Sequence, residues 1–89
     1  MAWTIIFSEL AKKNLAKMDA QIARRITAFL RERVASLDNP RSLGQALQGS
    51  ELGHLWRYRV GDFRIVCEIQ DAKLIVLVVH VGHRREVYR

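Results

Sequence analysis

Eighty-nine residues support one hydrophobic core and exclude a second, because a chain this short buries only about 60–65% of its unfolded surface. A hydrophobic fraction of 49% with 27% charged residues excludes a disordered chain and is ordinary for a globular domain. Fifteen Lys and Arg against nine Asp and Glu give a formal charge of +6, which predicts attraction to nucleic acid or to an acidic protein partner.

A single cysteine, Cys67, cannot form an internal disulfide, which fits a reducing, cytoplasmic setting. It lies within an apolar run, where a thiol packs as a small hydrophobe. The opening Met1-Ala2-Trp3-Thr4-Ile5-Ile6-Phe7 has neither a basic leader nor a long apolar stretch, so no signal peptide or membrane span is expected.

In chain order, Trp3 to Phe7 is β-branched and aromatic and reads as a strand. Ser8 offers a hydroxyl to cap a helix, with Glu9 in its first turn. Leu10, Ala11, Leu15 and Met18 form that helix's apolar stripe, while Lys12, Lys13 and Lys17 lie mostly away from it. Asp19 caps a second helix, in which Ile22, Ile26, Phe29, Leu30, Val34 and Leu37 recur at three- and four-residue spacing. Two helices joined almost without a loop predict an αα-hairpin.

Asp38-Asn39-Pro40 stops the second helix. Arg41 to Gly53 reads as a connecting loop, compatible with one helical turn at Leu43–Leu47. Three strand-like runs follow, His54–Val60, Asp62–Gln70 and Leu74–Val81, separated by segments short enough for hairpin turns. The expectation is one α+β domain over residues 1–89: an N-terminal strand, an α-helical hairpin, then a three-stranded antiparallel meander. Both helices would pack on one face of a mostly antiparallel sheet.

The open face of that sheet carries the chemistry. Side chains alternate between the faces of a strand, so Trp56, Tyr58 and Val60 share one side and Arg57 and Arg59 the other. In the next run Phe63, Ile65, Cys67 and Ile69 are opposite Arg64, Val66 and Glu68. If the apolar sets meet the helices, Arg57, Arg59 and Arg64 share the open face. The last strand then delivers His83, Arg84, Arg85 and Tyr88 nearby.

Such a cluster suits a polyanion, because guanidinium groups hold their charge and fork onto phosphate oxygens. Any one arginine is equally explained as a solvent-facing strand residue; the convergence is what points to a site. Lys12 and Lys13 are most economically a solvated face, with phosphate binding as a secondary reading. His54 and His80 carry little signal, and His80 is read as packing or bonding locally within an apolar strand. No Cys, His or Asp set has metal-ligand spacing and no glycine-rich loop resembles a nucleotide site, so neither metal nor cofactor is expected.

RNA carries its own nucleophile in the 2′-hydroxyl. A protein cutting it must stabilise the crowded phosphate, help remove the 2′ proton and protonate the leaving 5′ oxygen. Arginines suit the first task. His83 or Tyr88 could serve proton transfer, although a phenol with a pKa of about 10 is a poor base.

The segment Leu55-Trp56-Arg57-Tyr58-Arg59-Val60-Gly61-Asp62-Phe63-Arg64-Ile65-Val66 and the ending Val81-Gly82-His83-Arg84-Arg85-Glu86-Val87-Tyr88, with the order of elements, resemble RelE-type toxins of bacterial toxin–antitoxin modules. The resemblance implies a ribonuclease that cuts messenger RNA in the ribosomal A site without metal, oriented by the ribosome, and a cognate antitoxin forming a hetero-oligomer with it. It implies that Arg57 stands at a basic catalytic strand position, that Arg64 holds the scissile phosphate, that Arg84 acts at the leaving group, and that Tyr88 stacks on a base or assists proton transfer. Arg59 and Arg85 would bind RNA. The best-known pattern has two lysines on the second strand, where this chain has Leu55 and Arg57, and His83 stands where a lysine occurs; the general base is therefore open, and His83 is the expectation for it. Two rivals remain at this point: a ParE-type toxin acting on DNA gyrase, and a non-catalytic RNA- or ribosome-binding domain.

Overall fold

A computed structural model describes residues 2–47 and 55–83 of the protein. Strand β1 (Thr4–Phe7) leads into helix α1 (Glu9–Lys17), then helix α2 (Ala20–Ala28), which continues as a π-helical stretch over Phe29–Val34. A 3-10 turn at Pro40–Ser42 precedes the two-residue strand β2 (Gln45–Ala46). Strands β3 (Leu55–Val60), β4 (Phe63–Gln70) and β5 (Ile75–His83) follow, the last two joined through a 3-10 turn at Asp71–Lys73.

The strands form one sheet in the order β1-β5-β4-β3-β2. β2, β3, β4 and β5 are antiparallel to their neighbours, whereas β1 runs parallel to β5. The α+β architecture and the helical hairpin are as the sequence implies. The sheet is mixed, because a chain leaving β1 and returning through two helices reaches its neighbour in the same direction.

Local sequence explains where the helices begin. The Ser8 hydroxyl accepts from the Ala11 N–H at 3.0 Å, and the Asp19 carboxylate accepts from the Gln21 N–H at 2.8 Å. The second helix ends differently from the periodic reading. The Ala35 N–H bonds five residues back to Leu30 at 2.9 Å, a widened turn that keeps Leu30 and Val34 both buried and leaves Leu37 beyond the helix. β1 secures this end, with the Trp3 N–H donating to the Ala35 carbonyl at 2.8 Å and its indole N–H to Asp38 at 3.3 Å.

The core lies between the hairpin and one face of the sheet, gathering Ala11, Ile26, Leu30 and Val34 with Tyr58, Ile65, Cys67, Val76, Val78 and Val81. Leu10 does not belong to it: at 51% exposure it stands in solvent, and Asn14 takes the sheet-facing place on α1. The Asn14 side-chain Oδ1 accepts from the Val81 N–H at 3.0 Å. Among the described residues no helix is long and apolar enough to cross a membrane.

Candidate phosphate-binding face

Two aromatic residues on the helix-facing side of β3 shape the opposite side of the sheet. The Trp56 indole N–H donates to the Leu43 carbonyl at 2.6 Å, and the Tyr58 hydroxyl donates to the Pro40 carbonyl at 2.5 Å. Tyr58 also packs edge-on against Phe29, with ring centroids 5.9 Å apart. Burial pushes its phenol well above the ordinary value, with Cys67 adding to the rise and Arg41 opposing it. The two anchors draw residues 40–43 against β3, so the segment that the sequence presents as loop enters the sheet as β2.

Gly44 makes the turn into β2 at φ +77°, and a Cβ there would collide with the Arg57 carbonyl oxygen. Gly44→Ala is therefore expected to cost about 1–3 kcal/mol from backbone strain alone, with the clash in addition. Thermal unfolding checks this; an unchanged midpoint would contradict the close approach.

Gln45 pairs with Arg57 across the ladder, and its side-chain oxygen accepts from the Arg57 Nη2 at 2.7 Å. The guanidinium is thereby held at the mouth of a cleft of about 230 Å³ lined by Gly44, Gln45, Arg57, Tyr58, Arg59 and Arg64. That volume is below the range of about 300–1,000 Å³ typical of small-molecule pockets, and it suits a short backbone segment.

The register of β3 and β4 sets the arginines. Arg59 lies directly opposite Arg64, and Arg57 opposite Val66. The hairpin turn permits this through Gly61 at φ +58°, whose carbonyl also accepts from the Arg59 Nε at 3.3 Å. Like charges placed directly across a ladder destabilise a sheet, so the row has an electrostatic cost that a bound anion relieves. Arg59→Thr is expected to raise stability by about 0.2–1 kcal/mol, measured by denaturant midpoint; a loss would show that the pair is not repulsive.

Arg41 makes an instructive contrast. Its Nη1 and Nη2 reach the two Asp71 oxygens at 2.9 and 3.0 Å. These hydrogen bonds raise the Arg41 pKa and hold the Asp71 carboxyl below the usual range. This arginine closes the 3-10 turns on each other rather than facing the cleft.

The structure thus brings Arg57, Arg59 and Arg64 together, as alternation implies. Lys12 and Lys13 are exposed on α1, in the layer on the other face, with the Lys12 Nζ 3.5 Å from Glu9; they are not gathered with the arginines. Arg84, Arg85 and Tyr88 lie outside the described residues, as does His54.

The two remaining histidines exchange the places that the sequence suggests. His83 pairs with Phe63 across the ladder, and the rings meet edge to face at 5.7 Å and 80°. Phe63 belongs to the helix-facing side and packs against the core, so His83 does not face the arginines. His80 does. A bulge opposite the Val66–Cys67 step pairs Cys67 with Val78 but Val66 with His80, leaving Val79 as the extra residue. The Ser8 hydroxyl fixes the bulge by donating to the Val79 carbonyl at 2.8 Å. The result is a row across the arginine face, Gln45–Arg57–Val66–His80. Among the described residues, no three or more His, Cys, Asp and Glu side chains are grouped to hold a metal ion.

The family described as "ParE toxin of type II toxin-antitoxin system, parDE" matches residues 5–88. The chain is 30% identical over 90 residues to the mRNA interferase toxin RelE of Escherichia coli (strain K12), covering 99% of this chain and 92% of that protein. It is 27% identical over 89 residues to toxin RelG of Mycobacterium tuberculosis, covering 100% and 99%. Among solved structures, the isolated E. coli RelE toxin superposes with a TM-score of 0.71 at 25% identity, covering 98% of this chain and 92% of that one. A chain of the toxin–antitoxin complex RelBE2 from M. tuberculosis gives 0.84 at 24% identity, covering 94% and 93%, a likeness of fold. A match over nearly the whole chain, with relatives of similar length, makes this protein a RelE-type toxin of the RelE/ParE superfamily, the toxin component of a type II toxin–antitoxin module.

Proposed function

We propose that the protein is a ribosome-dependent endoribonuclease that cuts messenger RNA in the A site by attack of the 2′-hydroxyl on the adjacent phosphate, without metal, and so stops translation. The observation that carries this reading is the trio Arg57, Arg59 and Arg64 on the one sheet face that the helices leave open. Arg64 and Arg57 would hold the scissile phosphate and its transition-state charge, and Arg59 the neighbouring backbone. Arg84 and Arg85 would reach the RNA from the C-terminal segment, with Arg84 at the leaving oxygen and Tyr88 stacked on a base or assisting proton transfer. Lys12 and Lys13 would touch ribosomal RNA from the helical layer. The name mRNA interferase carried by the E. coli relative supports this activity.

The same reading supplies the partner. Neighbours solved as complexes with RelB, from M. tuberculosis and Methanococcus jannaschii, support a cognate antitoxin for this chain, and its acidic or amphipathic segment would cover the arginine face in a hetero-oligomer. A second reading follows from the family description, which names ParE: a toxin of that branch would act on DNA gyrase.

Translating ribosomes incubated with the purified toxin separate the readings when messenger 5′ ends are mapped. Cuts in codon register, absent without ribosomes, are expected. Intact messenger with failed DNA supercoiling would favour the gyrase reading, and intact messenger with retained ribosome binding a non-catalytic domain.

A further inference from the structure

We propose that His80 is the general base that removes the 2′ proton, an inference that rests on the ribonuclease reading. The bulge in β5 is what makes it available. Without Val79 as the extra residue, alternation from Val76 and Val78 would turn position 80 into the core; with it, Val81 takes the core place and His80 faces the arginines. His80 stands two strands from Arg57, about 10 Å at ordinary strand spacing. It is the diagonal neighbour of Arg64, at about 7–8 Å, since Arg64 pairs with Gly82. A phosphate held between Arg57 and Arg64 therefore has the imidazole at its β5 side, with the small apolar Val66 between them. The side chain is half-buried and set on a strand, so its position is rigid.

The groups facing it can be named. From β4 these are Arg64 and Glu68, which pairs with Leu77 one step along; from β3, Arg57 and Arg59; from β2, the uncharged Gln45. β1 contributes only Thr4 and Ile6 to this face, opposite Ile75 and Leu77. Among the described residues on this face Glu68 is the rival base, and it stands on the same strand as Arg64 four residues away, about 13 Å at strand rise. Its diagonal place beside His80 fits it to accept an imidazole N–H and so orient the ring.

In the step, the neutral imidazole nitrogen takes the 2′-hydroxyl proton. The 2′ oxygen bonds to phosphorus, the bond from phosphorus to the 5′ oxygen breaks, and that oxygen takes a proton from water. The products are a 2′,3′-cyclic phosphate and a 5′-hydroxyl, and the imidazolium returns its proton to solvent.

The test uses the intact toxin on programmed ribosomes, with cleavage rate, its pH profile and ribosome affinity measured separately. His80→Gln is expected to lower kcat by about 10²-fold or more, to leave ribosome affinity and thermal midpoint near wild type, and to abolish the ascending limb of the pH profile. His80→Gly is expected to regain part of the rate with added imidazole, which distinguishes a missing base from a disturbed fold. Glu68→Gln is expected to keep the limb. Equal rates and profiles for wild type and His80→Gln would remove His80 while the ribonuclease reading stands. A limb lost only in Glu68→Gln, or a slow His80→Gln that keeps its limb, would also overturn the assignment. A wild type that cuts nothing would sink the underlying reading and this base with it.

Discussion

Replacing Arg64 with alanine is expected to slow messenger cleavage on ribosomes by about 10²–10³-fold, the loss typical of removing one preorganised donor from a developing charge. Arg64 is half-buried near the start of β4, beside the hairpin turn, so its guanidinium starts from a strand position and gives up little freedom when phosphate arrives. Arg64→Lys keeps the charge and loses the fork, and an intermediate rate is expected from it. Arg41→Ala removes an arginine that is engaged with Asp71, and cleavage should be unaffected. A second readout needs no ribosome. Inorganic phosphate should raise the thermal midpoint of the wild type by binding the folded state, and should do so much less in Arg64→Ala. An Arg64→Ala toxin that cuts at the wild-type rate would detach the arginine face from the chemistry, whatever its effect on phosphate binding.

The arginine face was legible because β3 and β4 alternate cleanly. Trp56, Tyr58, Ile65 and Cys67 could only be inside, so Arg57, Arg59 and Arg64 had to share the outside, and a short turn at Gly61 made the strands adjacent. β5 offered no such phase. Its residues are apolar at nearly every position on both faces, so alternation could not show where the extra residue sits, and the bulge depends on Ser8, a residue 71 positions away in sequence. Pattern alone therefore puts His80 among the packing residues and His83 beside the arginines, whereas the register sets His80 on the arginine face and His83 against Phe63. β2 is hidden for a similar reason: Gln45 and Ala46 have no strand signature, and their place comes from the Trp56 and Tyr58 hydrogen bonds to residues 43 and 40. Leu10 shows the limit of a helical stripe, because what packs against it is decided by the sheet's width rather than by the helix's own period.

These observations divide the sheet into a stable side and a working side. On the stable side the polar atoms of Trp56 and Tyr58 are matched to carbonyls and their rings are packed. On the working side two arginines oppose each other across one ladder. Conflict of this kind, confined to one face of an otherwise consistent fold, marks where the protein expects a partner. On the ribonuclease reading proposed above, that partner would be RNA phosphate when the toxin acts and an antitoxin segment when it is silenced.

The stable side has its own test, which is alkaline pH. Burial raises the pKa values of both Cys67 and Tyr58, and each is nearly inaccessible, at 0% and 1% exposure. A raised folded pKa means that the folded state keeps a proton the unfolded chain gives up. Stability is thus fully present below the unfolded value and is lost as pH rises toward the folded one. The unfolded thiol ionises at about 8.5 and the phenol at about 10, each giving a slope of up to about 1.4 kcal/mol per pH unit. By pH 11 the two together remove up to about 4–5 kcal/mol, comparable to the whole stability of a marginal small domain. Denaturant midpoints are therefore expected to fall from about pH 8.5 and to fall more steeply above about pH 10. Cys67→Ala should delay the onset to the phenol range. Tyr58→Phe should remove the steeper part while costing about 1–3 kcal/mol at neutral pH, because the Pro40 carbonyl is left without its buried donor. A Cys67→Ala protein that loses stability along the same curve as the wild type would show that the thiol is not what the alkaline chain gains by unfolding.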